Sequence, residues 1–392
     1  MSKRVLSGIK VIDLTHYIAG PFCTKLMAAL GAETIKVEKP SEGDGTRKMG
    51  PFPSDKPDPD KSGLFLYLNT DKKSITLNLK TQTGREVLKE LIREADVLVE
   101  NFEPRVMPSL GLDYKALEKI NPKLVMTSIS NFGQTGPYRD YKAREITLFA
   151  VSGQMYNLGD KGREPLKYGG SPNQYLAGVV GFTGTMVALH HAEKVGTGQH
   201  VDISIMECLV STHYQDLVQY QYTGTVLGRI RRMGILLCKD GFISLNVQAP
   251  QWPRLPMLMG MPELLEDSRF KTMESRRIHA DELEAYLLPW TIERSKEEVY
   301  HAGQAAGLPL GYVATAEDLL KSAQYKARRF FVDINHPVAG KLSYPGMPFK
   351  MGNLPCEQGR APLLGEHNEE IYCGQLGYAK GDLVRLRATG VI

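Results

Sequence analysis

The feature that most constrains the fold is a repeated alternation of short apolar segments and helical segments in the first third of the chain. Apolar runs predict strands at residues 9–14, 34–38, 74–77, 96–100 and 124–128. Helical patterns at 20–29, 83–95 and 114–120 stand between successive strands. Because strands joined through helices pair in parallel by right-handed crossovers, this alternation predicts an α/β fold with a mostly parallel, doubly wound sheet.

Two later segments depart from this pattern. A long helix is predicted at 176–192, and small residues such as Gly178 and Gly181 on one of its faces predict close packing against another backbone. Beyond about residue 225 a hairpin is predicted at 236–246, with a turn at Asp240 and Gly241, and short helices follow it. These later elements predict a smaller second domain.

Charge and cysteine content exclude several classes of protein. The 392 residues include 48 basic and 44 acidic ones, a net charge of +4, without a run of Lys and Arg. This balance argues against nucleic-acid binding and is compatible with a small anionic ligand held by a few cations. The five cysteines form no CxxC pair, which argues against a metal site or a disulfide framework and fits a reducing cytosol. With no apolar run of about 18 residues and no signal-peptide pattern, we expect a cytoplasmic protein without membrane contacts.

The turn after the first strand bears on the ligand that this sheet binds. Residues 15–21 read THYIAGP, which lacks the GxGxxG pattern of dinucleotide-binding proteins. That pattern brings the backbone close to a pyrophosphate at the start of a helix. We therefore expect neither NAD nor FAD to bind in the usual way.

Four groups of motifs, in a fixed order, are more specific than these patterns. They are VIDLTHYIAGP (11–21) with LGAETIKVEKP (30–40), LNTDKKSITLNLK (68–80) with VENF (99–102), SISNFGQTGPY (128–138), and TGQHVDIS (197–204). In this order they resemble the class III CoA-transferase family, which includes formyl-CoA and carnitine-CoA transferases. The resemblance extends from residue 7 to about residue 372.

The resemblance implies a fold and an assembly. Family members have a large Rossmann-like domain built from both ends of the chain and a smaller α+β domain, and two chains interlock as linked rings. On this basis we expect residues 1–225 to form the first part of the large domain, 226–335 the small domain, and 336–392 the return to the large domain. No cofactor is held permanently, since coenzyme A or its thioester is a substrate.

The resemblance also implies a CoA site. Its expected residues are His16, Tyr17, Lys39, Leu77, Lys80, Asn101, Phe102 and Lys142. Separated lysines suit the pyrophosphate and 3′-phosphate of CoA, and Phe102 suits packing against adenine. One family cation is missing, because the position that is usually Arg is Ser109, with Arg105 and Arg144 as candidate replacements.

One departure from the family concerns the reaction itself. In the family an Asp carboxylate attacks the acyl-CoA thioester, forms a mixed anhydride and then an aspartyl–CoA thioester, and finally passes CoA to an acceptor acid. Glycines at 178, 184, 196 and 198 align this nucleophile position with Gln174, in the run GGSPNQ. A neutral amide oxygen cannot perform that attack, and Asp160, the nearest upstream carboxylate, lies in a predicted turn.

We therefore expect a chain without a catalytic residue of its own. The glycine-rich lid of formyl-CoA transferases is also absent at residues 231–235. Some family members are heterodimers in which one subunit carries the Asp and the other lacks it, and this chain resembles the Asp-less kind. The expected partners are a succinyl-CoA type thioester, a small carboxylic acid and a paralogous subunit that carries the Asp.

Two alternatives remain open at this stage. Racemases of 2-methylacyl-CoA share the fold and use a His and an Asp as bases, but those positions are Arg144 and Gln174 here. The second alternative is a homodimeric CoA-binding protein without transferase activity.

Overall fold

The strands and helices are defined by a computed structural model that describes residues 4–160, 162–229, 234–352 and 358–392. Within that part of the chain the strands are β1 (Lys10–Asp13), β2 (Glu33–Glu38), β3 (Lys73–Thr76), β4 (Val97–Glu100), β5 (Val125–Ser130), β6 (His200–Ser204), β7 (Ile235–Cys238), β8 (Gly241–Leu245), β9 (Leu310–Tyr312), β10 (Phe331–His336) and β11 (Gly340–Pro345). The α-helices are α1 (Ala19–Ala29), α2 (Gly63–Leu68), α3 (Gln82–Arg93), α4 (Val106–Ser109), α5 (Tyr114–Leu117), α6 (Glu145–Val151), α7 (Pro172–Val195), α8 (Ile205–Ser211), α9 (Tyr214–Thr223), α10 (Arg254–Met259), α11 (Met273–Ile278), α12 (Ala280–Ile292), α13 (Lys296–Ala305), α14 (Ala316–Lys321), α15 (Ala323–Ala327) and α16 (Lys380–Ala388). Short 3-10 segments occupy Gly45–Lys48, Pro53–Asp55, Gln154–Asn157, Ala249–Gln251 and Pro262–Leu265, and a π-helical segment occupies Glu370–Gln375.

The chain divides into two units. The first contains the chain up to Leu158, Glu164–Gly228 and Arg329–Ile392, and the second contains Gly159–Arg163 and Arg229–Arg328. Residues 231–233, which belong to the segment compared with the glycine-rich lid, lie outside the described residues. In the described residues no helix has both the length and the apolar character that a membrane crossing demands.

The first unit is built on a six-stranded sheet with the order β3-β2-β1-β4-β5-β6. Each neighbouring pair in this sheet is parallel. This is the strand order of a doubly wound Rossmann-type sheet, so the predicted fold class is confirmed. The order reverses between β1 and β4, and this switch point is where an open α/β sheet leaves a crevice for ligands.

The sheet buries an apolar layer on each face. Ile12 and Leu98 pack on one face with residues of α3 and α16, whereas Val11 and Val99 pack on the other with residues of α1, α7 and α8. Successive strand residues point to opposite faces, so adjacent apolar positions serve two different cores. Burial on both faces explains the apolar runs of β1 and β4 at the centre of the sheet, whereas β6 at its edge is partly exposed.

Helix α7 lies close against α1. A Cβ on Gly178 would stand 2.7 Å from the carbonyl oxygen of Ala19, and one on Gly181 would stand 2.9 Å from Ile129 Cδ1. The small residues therefore permit the close packing that the sequence predicts. The predicted helix boundary at residue 176 is wrong, since α7 begins at Pro172. Proline fits a first helical position, where its missing N–H costs no hydrogen bond, and Gln174 therefore lies in the first turn of α7.

The C-terminal segment packs beside β3 in the same unit. The Tyr372 hydroxyl donates to the carbonyl of Thr76 at 2.7 Å, and Asn368 Oδ1 accepts from the Thr76 N–H at 2.9 Å. Leu383 of α16 and the terminal Ile392 complete the core on that face. The last residues of the chain thus cover the sheet edge formed by β3.

The second unit contains an antiparallel sheet, β7-β8-β9, packed with short helices. Its core includes Leu236 and Ile243 from the sheet and Leu283 and Leu287 from α12. The predicted hairpin is present, but the prediction of its turn at Asp240 and Gly241 is wrong. Cys238 pairs with Gly241, so residues 239 and 240 form the turn and Gly241 begins β8.

Candidate functional site

Two cavities open at the carboxyl ends of the parallel strands. We call the first the β2 cavity, which measures about 770 Å³ and is lined by residues at or after the ends of β1, β2, β3 and β4. The second, the β5 cavity, measures about 970 Å³ and is lined by residues after β1, β4 and β5 and by Gln174. Tyr17, Asn101 and Phe102 line both cavities, so the loops at the switch point form a shared wall.

The structure brings most of the expected CoA-site residues together. Seven of the eight expected residues line the β2 cavity, namely His16, Tyr17, Lys39, Leu77, Lys80, Asn101 and Phe102. Lys142 instead lines the β5 cavity. His16 and Asn101, which are 85 residues apart in sequence, meet here because the strands that precede them are neighbours in the sheet.

A buried ion network fixes the loop after β1. The Asp13 carboxylate accepts from Lys72 Nζ at 2.9 Å and lies 4.0 Å from Lys36 Nζ. Lys36 Nζ also lies 2.8 Å from Asp44 Oδ2 and donates to the carbonyl of Thr15 at 2.8 Å. Burial alone would raise the pKa of Asp13, but the charges of Lys36 and Lys72 hold that pKa well below its usual range.

A second buried ion pair holds the segment after β2. Arg47 Nε donates to Glu38 Oε2 at 2.7 Å, and its Nη2 donates to Glu38 Oε1 at 2.8 Å. The guanidinium also lies over the ring of Phe65, 3.6 Å from its centroid. This fork-to-fork contact anchors the short Gly45–Lys48 segment, so Lys48 extends toward the β2 cavity from a fixed backbone.

Asn101 joins the two loops at the switch point. Its Oδ1 accepts from the His16 N–H at 2.8 Å, and its Nδ2 donates to the His16 carbonyl at 2.7 Å. The His16 ring lies 5.6 Å from the Phe102 ring. Burial, together with the nearby Lys36 charge, lowers the pKa of His16, which favours the neutral imidazole. Asn101 therefore acts as a two-point clamp that holds His16 beside Phe102.

Tyr17 has a left-handed backbone conformation, with φ 65°. Its N–H donates to Asp44 Oδ1 at 3.2 Å, and Asp44 in turn contacts Lys36 in the buried network. A Cβ on Gly45 would stand 2.7 Å from Tyr17 Cε1, so the Tyr17 ring needs a glycine beneath it. The exposed Tyr17 ring is thus held at the shared wall by its backbone as well as by packing.

The β2 cavity has more cations than the sequence indicated. Lys39 and Lys48 both contact the single carboxylate of Glu42, the latter at 3.7 Å. Lys80 has no ion pair among the described residues. Sequence reasoning missed Lys48, because it follows the Gly43-Asp44 motif in a loop without a strand to place it. Three carboxylates, those of Glu38, Glu42 and Glu103, line the cavity as well, so its attraction for anionic groups comes from individual lysines and not from a net positive charge.

Arg105 and Arg144 were the candidate replacements for the cation that is absent at Ser109. Ser109 lines the β2 cavity, whereas both Arg105 and Arg144 line the β5 cavity. Neither arginine shares a cavity with Ser109. Among the described residues, Lys48 is the additional cation on the same cavity as Ser109.

Most charges of the β5 cavity are paired with one another. Lys142 contacts Glu103, and the Arg105 guanidinium makes two hydrogen bonds to Asp140, at 2.8 and 2.7 Å. Arg139 shares the same Asp140 carboxylate at 3.2 Å. These pairs are solvent-exposed, so each contributes little stability and can be broken by an anionic ligand.

Gln174 lines the β5 cavity beside a carboxylate that sequence reasoning overlooked. Glu145, the first residue of α6, accepts from the Asn173 N–H at 3.2 Å and thereby caps α7. Burial raises the pKa of Glu145, while hydrogen bonds from Asn173 and Gln174 and the charge of Lys167 oppose that rise. The fold around residue 144 was not predicted as a helix, and no sequence pattern indicated that Glu145 would meet Gln174.

Glu100, the last residue of β4, is buried beneath the shared wall. Its Oε2 accepts from the Phe102 N–H at 2.8 Å. Burial raises the pKa of Glu100 to about 7, although hydrogen bonds from Ser128 and Phe102 oppose the shift. Because ionisation of the buried Glu100 carboxyl costs free energy, the stability of the fold should decrease as this group ionises.

Comparisons with known proteins show the family to which the chain belongs. Residues 6–368 match the model of CoA-transferase family III. The chain is 34% identical to formyl-CoA:oxalate CoA-transferase of Streptomyces avermitilis, covering 99% of this chain and all of that protein. It is 33% identical to succinyl-CoA–D-citramalate CoA-transferase of Chloroflexus aurantiacus, covering 99% of this chain and 98% of that protein.

A solved structure gives the same result at the level of the fold. The crystal structure of a CAIB/BAIF family protein from Brucella suis superposes with a TM-score of 0.85 and 30% sequence identity. The match covers 95% of this chain and the whole of that protein.

The buried Glu100 predicts a specific dependence of stability on pH. A carboxyl whose folded-state pKa is raised from 4.5 to about 7 stabilises the fold fully below pH 4.5, and this contribution is lost as pH rises through 7. Glu100→Gln should remove the loss, which amounts to about 3 kcal/mol of unfolding free energy. Denaturant unfolding at pH 5 and pH 8 should therefore show the variant gaining stability relative to the unsubstituted protein at the higher pH.

Glu193→Gln, at an exposed position on α7, is the matched control and should show no such gain. Parallel pH profiles for Glu100→Gln and the unsubstituted protein would contradict the account of Glu100.

Proposed function

Because this chain belongs to CoA-transferase family III, we propose that it is the subunit without the nucleophile in a heteromeric CoA-transferase. The enzyme would move CoA from an acyl-CoA donor of the succinyl-CoA type to a carboxylic acid acceptor. This chain would bind CoA or form part of the acceptor cleft, while a paralogous subunit would supply the catalytic Asp.

The observation that supports this proposal is that Gln174, the residue expected from the sequence at the nucleophile position, lines the β5 cavity. An anionic carboxylate can attack a thioester, whereas the amide oxygen of Gln is neutral and weakly nucleophilic. The framework around Gln174 is intact, since Gly178 and Gly181 still seat α7 against α1 and β5. A retained cleft without its nucleophile fits a chain that is kept for its contribution to an assembly.

The charge distribution supports the assignment of CoA to the β2 cavity. Lys39, Lys48 and Lys80 surround the rim of a cavity whose interior includes Leu77 and Phe102. The lysines suit the phosphates of CoA, and the apolar and aromatic residues suit its adenine. The expected site residues His16, Tyr17 and Asn101 shape the wall against which such a ligand would lie.

The exposed surface of the first unit supports association with a second chain. Large apolar side chains remain exposed on α7 and α9, namely Val179, Val187, Tyr214, Leu217, Tyr220 and Tyr222. Apolar surface of this extent is typical of protein–protein interfaces. It fits the interlocked dimer of the family, in which folding and association are linked.

The racemase alternative has no support in the β5 cavity. Arg144 and Gln174, which stand at the positions of the two racemase bases, both line this cavity, and neither is a base at neutral pH. A homodimeric CoA-binding protein would have the same two cavities. The activity of the Gln174→Asp variant distinguishes a homodimeric CoA-binding protein from a heteromeric subunit.

The first functional prediction concerns covalent chemistry. The purified chain, incubated with succinyl-CoA, should form no hydroxylamine-sensitive adduct and should transfer no CoA, because residue 174 lacks a carboxylate. Gln174→Asp should form such an adduct if the rest of the cleft is competent, and Gln174→Asn is the matched control of unchanged charge. Intact-mass analysis measures both. An adduct on the unsubstituted chain would contradict the proposal, and full turnover by Gln174→Asp alone would favour the homodimer.

The second functional prediction concerns CoA affinity. Lys39→Ala, Lys48→Ala and Lys80→Ala should each weaken CoA binding about tenfold or more, as expected for loss of one charged hydrogen bond. Lys142→Ala should have a smaller effect, since Lys142 lines the β5 cavity and is paired with Glu103. Titration calorimetry with CoA measures these changes.

Lys119→Ala, which removes an exposed lysine outside both cavities, is the control for general charge effects. Unchanged CoA affinity in all three β2-cavity variants would remove the assignment of CoA to this cavity.

A further inference from the structure

The hydroxyl of Ser128 connects the buried Glu100 carboxyl to a histidine at the surface. Glu100 of β4 and Ser128 of β5 are paired in register, so their side chains lie side by side on one face of the sheet, and Ser128 hydrogen-bonds to the Glu100 carboxyl. Ser128 Oγ also lies 2.9 Å from Nε2 of His200, the first residue of the edge strand β6. Ser128 is buried and His200 is exposed. The three side chains therefore form a continuous path of hydrogen bonds from the interior to solvent.

Asp202 of β6 is the charged neighbour of this path among the described residues. Burial raises the pKa of Glu100, and the Asp202 charge raises it further. Partial burial lowers the pKa of His200, and the Asp202 charge opposes that shift. The adjoining position of β1 is the apolar Leu14, and the Tyr114 ring of α5 stacks on the His200 ring with 5.6 Å between centroids. Burial thus disfavours both charged forms, but a proton that moves from the carboxyl to the imidazole creates two opposite charges that compensate each other.

A proton can pass along this path without leaving any of the three groups unpaired. With Glu100 protonated, its O–H donates to Ser128 Oγ, and the Ser128 hydroxyl donates to Nε2 of a neutral His200. Ionisation moves the carboxyl proton to Ser128 Oγ, while the original hydroxyl proton moves to His200 Nε2. The products are a carboxylate, a neutral hydroxyl and an imidazolium, and the exposed imidazolium can release a proton to water. Each hydrogen bond reverses its direction and none is lost.

The inner end of the path is attached to the shared wall of the two cavities. Glu100 Oε2 accepts from the Phe102 N–H at 2.8 Å, and Phe102 lines both cavities, whereas Glu100 itself lines neither. A hydrogen bond to an ionised carboxylate is roughly twice as strong as one to a neutral acceptor. The charge on Glu100 therefore determines how firmly the backbone at Phe102 is held.

We propose that Glu100, Ser128 and His200 form a proton relay between solvent and the shared wall, and that Glu100 is a positioning residue that holds Phe102 most firmly in its ionised form. The proposal rests on the proposed function in one respect, because it takes CoA as the ligand that contacts Phe102. A wall that is already ordered favours binding, since ordering it during binding costs free energy. CoA affinity therefore rises when the carboxyl proton leaves through His200.

The first measurement is the affinity of the full-length chain for 3′-dephospho-CoA from about pH 5.5 to about pH 8.5. This probe lacks the phosphate monoester of CoA, which itself titrates at about pH 6, whereas its pyrophosphate keeps a constant charge. Affinity should rise about fivefold as pH increases through 7, as expected for the gain of a charge-assisted hydrogen bond. Glu100→Gln keeps the acceptor without the charge, so it should bind with the weaker affinity at every pH. Titration of other groups, His16 among them, is common to both proteins and cancels in the comparison.

The second measurement is the titration of His200, followed by NMR with histidine-selective labelling and assigned with His200→Gln. In the unsubstituted chain His200 should titrate together with Glu100, in two coupled steps. Glu100→Gln should give a single step at lower pH, because the imidazolium loses an anionic partner. Ser128→Ala should interrupt the path, and the rise in dephospho-CoA affinity should move to higher pH, because the Ser128 hydrogen bond lowers the pKa of Glu100.

Glu193→Gln, at the exposed position on α7, is the matched control for loss of a carboxylate and should change neither measurement. The signals of the other histidines report whether each variant is folded. The proposal is overturned if Glu100→Gln keeps the pH dependence of the unsubstituted chain, or if the affinity of the unsubstituted chain falls relative to that variant as pH rises. An identical His200 titration in the two proteins would also overturn it.

This proposal and the proposed function fail separately. Absence of dephospho-CoA binding at every pH would count against the proposed CoA site, and the His200 titration then decides the relay by itself. Binding with the same pH profile in the unsubstituted chain and in Glu100→Gln would count against the role of Glu100 alone.

Discussion

The contact between Asp13 and two buried lysines is the interaction on which the rest of the site depends. Asp13 is the last residue of β1, and its carboxylate forms an ion pair with the Lys72 ammonium group. Lys36 lies between the carboxylates of Asp13 and Asp44 and forms an ion pair with each. Removing one partner of such a cluster leaves an unpaired buried charge, which typically costs about 3–5 kcal/mol. Because Asp44 also accepts from the Tyr17 N–H, this cluster determines where the shared wall of the two cavities stands. Both the β2 cavity and the β5 cavity are therefore shaped by buried charges that do not line either of them.

Much of the fold follows from local sequence, and the exceptions have physical causes. The central strands of the parallel sheet were predictable because they are buried on both faces and contain apolar runs, such as Val97–Val99 of β4. The start of α7 was not, because a proline that resembles a loop residue occupies its first turn. The turn of the β7–β8 hairpin was shifted by one residue, since Asp-Gly is a strong turn signal and yet Gly241 pairs with Cys238.

The candidate site was predictable only in part, for a related reason. Residues at strand ends, such as Lys39 and Phe102, can be placed from sequence because the sheet order brings strand ends together. Lys48 and Glu145 were missed because their positions depend on long-range contacts. The Arg47–Glu38 pair fixes the segment that ends at Lys48, and the cap on α7 draws Glu145 to Gln174. No local pattern records contacts of this kind.

The central claim is that Gln174 leaves this chain without a nucleophile, so that covalent chemistry belongs to a partner subunit. The most direct measurement uses the complex isolated after co-expression of this chain with a paralogue that has Asp at the equivalent position. The complex is incubated with acyl-CoA, any enzyme-bound adduct is trapped, and peptide mass analysis locates it. The account predicts an adduct on that Asp of the paralogue and none on this chain. An adduct on this chain, above all on Glu145 beside Gln174, would contradict it.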